Sequence, residues 1–94
     1  MTMAMDILGR HLLPDFWLHH PKSESALRGV SALIAAAAWR GGDDIRLQLG
    51  TAATLASEGR VVVTDPDGCF QLTLQVSYAR QLVHILAIDE VPHE

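Results

Sequence analysis

The sequence predicts a small α+β domain with the element order β-α-α-α-β-β-β. Apolar residues recur at helical spacing between positions 12 and 37, whereas apolar and polar residues alternate in most of the segment from position 60 to position 88. A chain of 94 residues also has room for only one hydrophobic core. We therefore expect one domain over residues 1–94, in which a short N-terminal strand and two to three helices pack on an antiparallel sheet of three to four strands.

The start of the chain predicts a short strand followed by a helix. Residues 5–8 form a short apolar segment that suits an edge strand. The apolar residues that follow recur at helical spacing: Leu12, Leu13, Phe16 and Trp17. Because a proline is tolerated in the first turn of a helix, Pro14 is compatible with a helix over residues 14–20, and Pro21 ends it.

Two further helices are predicted before the strands begin. Ser23 suits the N-cap of a helix that continues to about residue 39. Its apolar residues fall on one stripe: Leu27, Val30, Ile34 and Ala37. A Gly-Gly pair ends this helix, and a short third helix is expected over residues 44–49, with Asp43 as its cap.

Alternation with a period of two predicts three consecutive strands in the last third of the chain. We expect strands over residues 60–64, 69–78 and 82–88, with a turn at residues 65–68 and a tight connection at 79–81. The second strand divides into an apolar face that should pack under the helices: Phe70, Leu72, Leu74, Val76 and Tyr78. Its other face is polar but uncharged: Cys69, Gln71, Thr73, Gln75 and Ser77.

Composition and charge limit the classes of function. The chain carries 7 Lys and Arg against 11 Asp and Glu, and its cations form no cluster, so we expect weak intrinsic binding to nucleic acid. No apolar run reaches the roughly 18 residues that a membrane span needs, which predicts a cytoplasmic protein without a membrane partner. Cys69 is the single cysteine, which rules out an internal disulfide and any multi-cysteine zinc site. No phosphate-binding loop or dinucleotide fingerprint occurs, and we expect no cofactor.

An ordered set of short segments resembles one toxin family. The segments are FWLHHP at 16–21, AW at 38–39, DDI at 43–45, RVVV at 60–63 and SYARQLVHI at 77–85. Together they are similar to the HigB family of type II toxins, relatives of RelE, from Met5 to about Ile88, which leaves residues 1–4 as an expected flexible extension. The resemblance implies a RelE-like fold, ribosome-dependent cleavage of mRNA, and a HigA-like antitoxin partner with a helix-turn-helix.

The resemblance also implies a set of site residues. Gln71 stands where family members usually carry an arginine, Gln75 stands where another cation is common, and Glu90 and Val91 stand in place of a Thr-His pair. His93 lies two residues beyond that pair. The candidate catalytic residues are Arg80, His84 and His93, and the candidate RNA-binding residues are Arg46, Arg60, Gln71 and Gln75.

Alternatives to these roles stay open at the level of sequence. Arg80 also suits an exposed hairpin, and His84 a half-buried strand position. Trp17 and Trp39 suit core packing better than base stacking. Adjacent histidines at positions 19 and 20 suit a helix C-terminus better than a metal site. As a whole, the chain is either a ribosome-dependent endoribonuclease or a HigB-fold protein without catalysis that acts as a protein-interaction module.

Overall fold

The computed structural model describes residues 5–68 and 70–91 and contains three helices and five strands within them. The helices are α1 (Leu12–His19), α2 (Glu24–Ala36) and α3 (Gly42–Leu49). The strands are β1 (Asp6–Leu8), β2 (Ala53–Leu55), β3 (Arg60–Thr64), β4 (Gln71–Ser77) and β5 (Leu82–Asp89). Single 3₁₀ turns occupy Pro21–Ser23, Gly50–Ala52 and Ser57–Gly59. The predicted α+β class is confirmed.

The five strands form one mixed sheet in the order β1-β5-β4-β3-β2. This corrects the expected antiparallel sheet of three to four strands. The three residues of β2 show no clear alternation, and pairing with β3 supplies their extended conformation. The strand β1 pairs with β5 in parallel, an orientation that a single short strand does not encode in its own sequence.

The helices cover one face of the sheet and enclose a single core. The predicted inward residues of this segment are buried as expected: Phe70, directly before β4, and Leu72, Leu74 and Val76 within it. They pack with buried side chains of the helical half, among them Leu27, Ile34, Trp39 and Ile45. Tyr78 is partly buried against the same core, as predicted. The opposite face of the sheet carries no helix from the part of the chain that the structure describes, and it is called the open face below.

The helix α1 begins earlier than predicted and ends one residue sooner. It runs from Leu12, so Pro14 lies in the first turn, where its missing N–H removes no helical hydrogen bond. The chain then makes a 3₁₀ turn that starts at Pro21. In this turn Ser23 is fully buried and its Oγ donates to the His20 carbonyl at 2.6 Å. Ser23 is the N-cap residue of α2, as predicted, but its side chain makes no capping hydrogen bond to this helix.

The helix α2 ends at Ala36, three residues before the expected end at Trp39. A continued helix would point Trp39 about 140° away from Ile34 and hence away from the core. Instead, Ala37 adopts an extended conformation with φ −78° and ψ 159°. Because alternate residues of an extended segment face the same way, both Ala37 and Trp39 are buried. Burial of the indole thus decides where the helix stops.

The helix α3 differs from the prediction at its start. The helix α3 begins at Gly42 rather than at residue 44, and the Asp44 carboxylate accepts a hydrogen bond from the Arg40 backbone N–H at 2.8 Å. Among the residues that the structure describes, no helix is both long and apolar enough to cross a bilayer. The expected extension at residues 1–4 and the predicted strand residue Cys69 lie outside the described part of the chain.

Candidate functional site

Three adjacent strands bring Arg60, Gln75 and His84 side by side on the open face. The register pairs Arg60 of β3 with Gln75 of β4, and Gln75 with His84 of β5. Opposite residues of antiparallel strands have Cβ atoms about 4.5–5.5 Å apart, so the three side chains form a row roughly 10 Å long. This row is called the cross-strand row below. It joins three of the seven candidate residues that the sequence provided.

Within the cross-strand row, Gln75 orients the guanidinium of Arg60. The Arg60 Nε–H donates to Gln75 Oε1 at 3.2 Å, and Gln75 Nε2 donates to the Glu58 carbonyl at 2.5 Å. The amide of Gln75 is therefore fixed at both ends. Within residues 5–68 and 70–91, the two terminal amino groups of Arg60 make no hydrogen bond. They remain available to bind a phosphate through the forked geometry that arginine favours.

The backbone before β3 makes this contact possible. Glu58 and Gly59 both have positive φ angles, of 60° and 79°. A Cβ at Gly59 would lie 2.5 Å from the Val76 carbonyl oxygen and 3.1 Å from Gln75 Nε2. Only glycine fits this position without displacement of β4. Sequence reasoning missed Glu58 and Gly59, although a glycine directly before a strand was a visible signal.

His84 lies at the other end of the cross-strand row and is exposed to solvent. Its neighbour on the side away from Gln75 is Leu8, through the parallel pairing of β1 with β5. Gly9 follows, and a Cβ there would lie 2.6 Å from the Ile85 carbonyl, so the backbone of this turn packs closely beside His84. An exposed imidazole in this place can exchange a proton with a bound ligand.

The other candidate residues lie away from the cross-strand row. Gln71 is four residues from Gln75 on β4, about 13 Å along the strand, and pairs with Asp89. Arg80 is exposed in the turn between β4 and β5, beyond the last pair of that hairpin. Arg46 lies on α3 beside the edge strand β2, where it lines a cleft with Thr54. His93 lies outside the described residues.

A β-bulge in β5 changes which residues share a face with His84. Thr73 pairs with Ala87 and Leu74 with Ile85, so Leu86 is the extra residue. Beyond the bulge the alternation of β5 shifts by one position, and Ile88 turns toward the core opposite Leu72. Bulges commonly redirect side chains next to functional sites. Here the bulge leaves Leu86 38 % exposed near the cross-strand row.

The aromatic candidates belong to the core. Trp39 is 1 % exposed, and its Nε1–H donates to Gln48 Oε1 at 2.5 Å, which confirms the predicted packing role. Burial, and then the nearby Asp44 carboxylate, raise the pKa of Tyr78 above its ordinary value. Tyr78 packs against the core and not on the open face, so its phenol is no candidate for proton transfer in the cross-strand row.

The adjacent histidines close the end of α1, as the sequence suggested. The Nδ1 atoms of His19 and His20 lie 3.2 Å and 3.1 Å from the carbonyl oxygens four residues earlier, on Asp15 and Phe16. His20 also stacks on Phe16, and its Nε2 lies 2.5 Å from Glu90 Oε1. Both ring nitrogens of His20 thus face acceptors, which only the doubly protonated imidazolium satisfies.

The contact between His20 and Glu90 gives a pH-dependent prediction. The hydrogen bond to Glu90, and then that to the Phe16 carbonyl, hold the pKa of His20 above its ordinary value of 6.5. Its contribution to stability is present below the unfolded-state pKa and is lost as the pH rises through the raised folded-state pKa. We expect Glu90→Gln to lower the pKa of His20, measured by NMR titration of the imidazole ring protons.

The matched control for this titration is Glu24→Gln, which removes a carboxylate that pairs with Arg28 at 2.8 Å instead. This variant should leave the titration midpoint of His20 in place. Equal midpoints for His20 in the wild type and in Glu90→Gln would show that Glu90 does not hold the imidazolium in solution.

Comparison with known proteins does not assign this chain to a family. No model of a known protein family matches the chain, and no curated protein is significantly similar to it. The cross-strand row on the open face is therefore the basis for a proposal of function.

Proposed function

We propose that the chain is a HigB-like toxin of a type II toxin-antitoxin module that cleaves mRNA on the ribosome through its open face. The cross-strand row carries this proposal, because it combines a cation, a neutral donor and an imidazole on adjacent strands. Phosphoryl transfer from RNA needs a phosphate clamp and a proton-transfer group in the same place. The resemblance in sequence and the α+β architecture with an uncovered sheet face are consistent with a RelE-like arrangement.

The proposed chemistry uses the 2′-hydroxyl of the RNA as nucleophile. His84 accepts the hydroxyl proton while the 2′-oxygen bonds to the adjacent phosphorus and the bond from phosphorus to the 5′-oxygen breaks. The leaving 5′-oxygen takes a proton from water, and the hydroxide that results takes the proton from His84, so the products are a 2′,3′-cyclic phosphate, a 5′-hydroxyl and a neutral imidazole. Arg60 binds the non-bridging oxygens, where negative charge increases, and Gln75 keeps its guanidinium in place.

Dependence on the ribosome follows from the charge of the chain. The protein has a formal net charge of −4, and Arg60 is the basic residue of the cross-strand row. One arginine supplies little of the sequence-independent affinity that RNA binding usually rests on. A ribosome that already holds the mRNA in an extended form would raise the local concentration of mRNA at the cross-strand row. Arg46, beside β2, and Arg80, in the turn between β4 and β5, are exposed cations that could contact ribosomal RNA.

The partner in this proposal is a HigA-like antitoxin with a helix-turn-helix, and the compartment is the cytoplasm, where both mRNA and antitoxin are found. An antitoxin can act either by covering the cross-strand row or by blocking the approach to the ribosome. In both cases co-expression of the partner would restore growth.

The test in cells is induced expression with a growth curve and mapping of mRNA 5′ ends. We expect growth arrest and new 5′ ends inside coding sequences for the wild type. The double variant Arg60→Gln, His84→Ala should restore both growth and intact transcripts, while Lys22→Gln, a change of an exposed cation on the 3₁₀ turn before α2, should behave as the wild type. Normal growth with unchanged transcripts in the wild type would reject the nuclease.

A second candidate function is supported by apolar exposure on the same face. Leu8 is 48 % exposed and pairs with His84, and Leu86 is 38 % exposed and lies two residues beyond His84 on β5. Exposed apolar side chains that form a contiguous patch mark protein-binding surfaces. If the chain is an interaction module without catalysis, its partner would contact these leucines. Leu8→Ser would then abolish partner binding, whereas the double variant Arg60→Gln, His84→Ala would leave binding intact.

A further inference from the structure

A groove between α1 and α2 lies on the helical side of the molecule, remote in sequence from the cross-strand row. One wall carries Arg10, Leu13 and Trp17, spaced three and four residues apart along the first helix and its preceding turn. The Leu13 N–H donates to the Arg10 carbonyl at 3.0 Å, so Arg10 continues the helical path of α1. The other wall carries one face of α2: Arg28, Ser31, Ala32 and Ala35.

The shape of the groove suits the insertion of a helix. Its volume is about 280 Å³, and its base includes the buried side chain of Leu13. The side chains of Ser31, Ala32 and Ala35 are short, so a third helix can approach α2 closely in the manner of helix-to-helix ridge packing. Trp17 is partly buried and offers a flat apolar wall.

Two arginines, Arg10 and Arg28, line the groove. The Arg28 guanidinium carbon lies 4.8 Å above the centre of the Trp17 ring, and its Nε donates to Glu24 Oε2 at 2.8 Å. These two contacts fix the side chain, and within residues 5–68 and 70–91 its terminal amino groups make no further hydrogen bond. Arg10 makes no side-chain hydrogen bond or ion pair with the residues that the structure describes. Seven residues separate Arg10 from Trp17, which is two helical turns or about 10 Å.

We propose that this groove docks an acidic amphipathic helix of a partner protein, with carboxylates about two turns apart and small or aliphatic residues between them. Charge complementarity identifies the occupant. The chain has 11 acidic and 7 basic side chains, so two arginines in the lining of one apolar groove are a local reversal of its overall charge. A carboxylate beside each arginine would complete the hydrogen bonds of Arg10 and Arg28, and leucine or alanine would cover Leu13 and Trp17.

A single-stranded RNA is a poorer occupant for this groove. An RNA segment would need a row of cations along its backbone, whereas the lining of the groove holds two arginines, Arg10 and Arg28, among apolar and small side chains. Ser31, Ala32 and Ala35 offer one hydroxyl among them for contacts with sugars or bases. The docking proposal uses no residue of the cross-strand row, and it holds or fails independently of RNA cleavage.

The test uses a synthetic helical peptide with two glutamates seven positions apart and leucine and alanine between them. Titration into the labelled full-length protein is followed by the indole N–H signals in NMR. We expect the Trp17 signal to shift, while the signal of Trp39, which is buried elsewhere in the core, stays in place. Affinity should fall at least about tenfold when both glutamates of the peptide are changed to glutamine, or when the protein carries Arg10→Gln with Arg28→Gln.

The matched control is Arg40→Gln, an exposed cation outside the groove whose backbone N–H, rather than its side chain, bonds to Asp44. This variant should bind the peptide with wild-type affinity. Three results would overturn the proposal: equal affinity for the glutamine peptide, an unmoved Trp17 signal, or a Trp17 shift caused instead by single-stranded RNA. A Trp17 shift that depends on protein concentration without peptide would assign the groove to a second copy of the chain and would equally contradict it.

Discussion

Replacement of Trp39 by alanine is expected to cost about 3–5 kcal/mol of unfolding free energy, the range for a buried large aromatic side chain. Trp39 is 1 % exposed, and its indole N–H bonds to Gln48. Its own carbonyl accepts a hydrogen bond from Gln81 Nε2 at 2.6 Å, which connects the segment after α2 to the turn before β5. For a domain of this size the midpoint of thermal unfolding should fall by more than roughly 10 °C.

The control for this change is Trp17→Ala, which removes the second tryptophan from a half-exposed position on α1. It should cost clearly less than Trp39→Ala in the same thermal and denaturant measurements, because less apolar surface leaves the core. Similar losses for the two variants would mean that the segment around Trp39 is not the anchor between the helices and the sheet.

Gly59→Ala is expected to destabilise the protein by roughly 2–4 kcal/mol, from an unfavourable positive φ together with a backbone clash. The added Cβ would lie 2.5 Å from the Val76 carbonyl oxygen, which belongs to β4 and cannot move independently of the sheet. Since the same Cβ would lie 3.1 Å from Gln75 Nε2, the contact of Gln75 with Glu58 should also be lost. Denaturant unfolding measures the first effect, and the NMR signal of the Gln75 side-chain amide reports the second.

Gly29→Ala is the control for Gly59→Ala and should change the unfolding free energy in the opposite direction. Gly29 lies in the middle of α2, and a Cβ there would meet nothing within 4 Å. Alanine should therefore stabilise the helix by about 0.5–1 kcal/mol. If Gly59→Ala were neutral in the same assay, the tight approach of the Ser57–Gly59 turn to β4 would not exist in solution.

Much of the fold was predictable because its signals are local. The strand β3 has the expected limits, and the inward side chains of β4 are those that alternation indicated. The turn at residues 65–68 has its expected glycine, with φ 77° at Gly68. Each of these features depends on side-chain polarity or backbone freedom within a few residues, which the sequence states directly.

The errors concern features that depend on partners far along the chain. The strand β2 exists because β3 offers a free edge, and the parallel direction of β1 depends on where α1 and α2 carry the chain. Burial of Trp39 overrides the helical propensity of the alanines before it. The bulge at Leu86 turns Ile88 toward the core, and no residue type in β5 indicates this bulge.

The candidate site shows the same division. Alternation predicted that Gln75 lies on the open face, and the sequence proposed Arg60 and His84 individually. Their alignment in one row required the register of three strands, which tertiary pairing sets. From the sequence, Gln75 is a glutamine at a position where a cation is common, whereas the structure shows its side chain hydrogen-bonded to Arg60 at 3.2 Å.

The role of the cross-strand row is tested most directly by the rate at which the purified protein cleaves mRNA bound to translating ribosomes. For a general base at His84, we expect His84→Ala to lower the single-turnover rate by about 100- to 10,000-fold. Arg60→Ala should lower it by roughly 100- to 1,000-fold through loss of charge stabilisation. Lys22→Gln, away from the open face, should cleave at the wild-type rate. Undiminished cleavage by the Arg60→Ala, His84→Ala double variant would contradict the assignment of this face as the site of RNA cleavage.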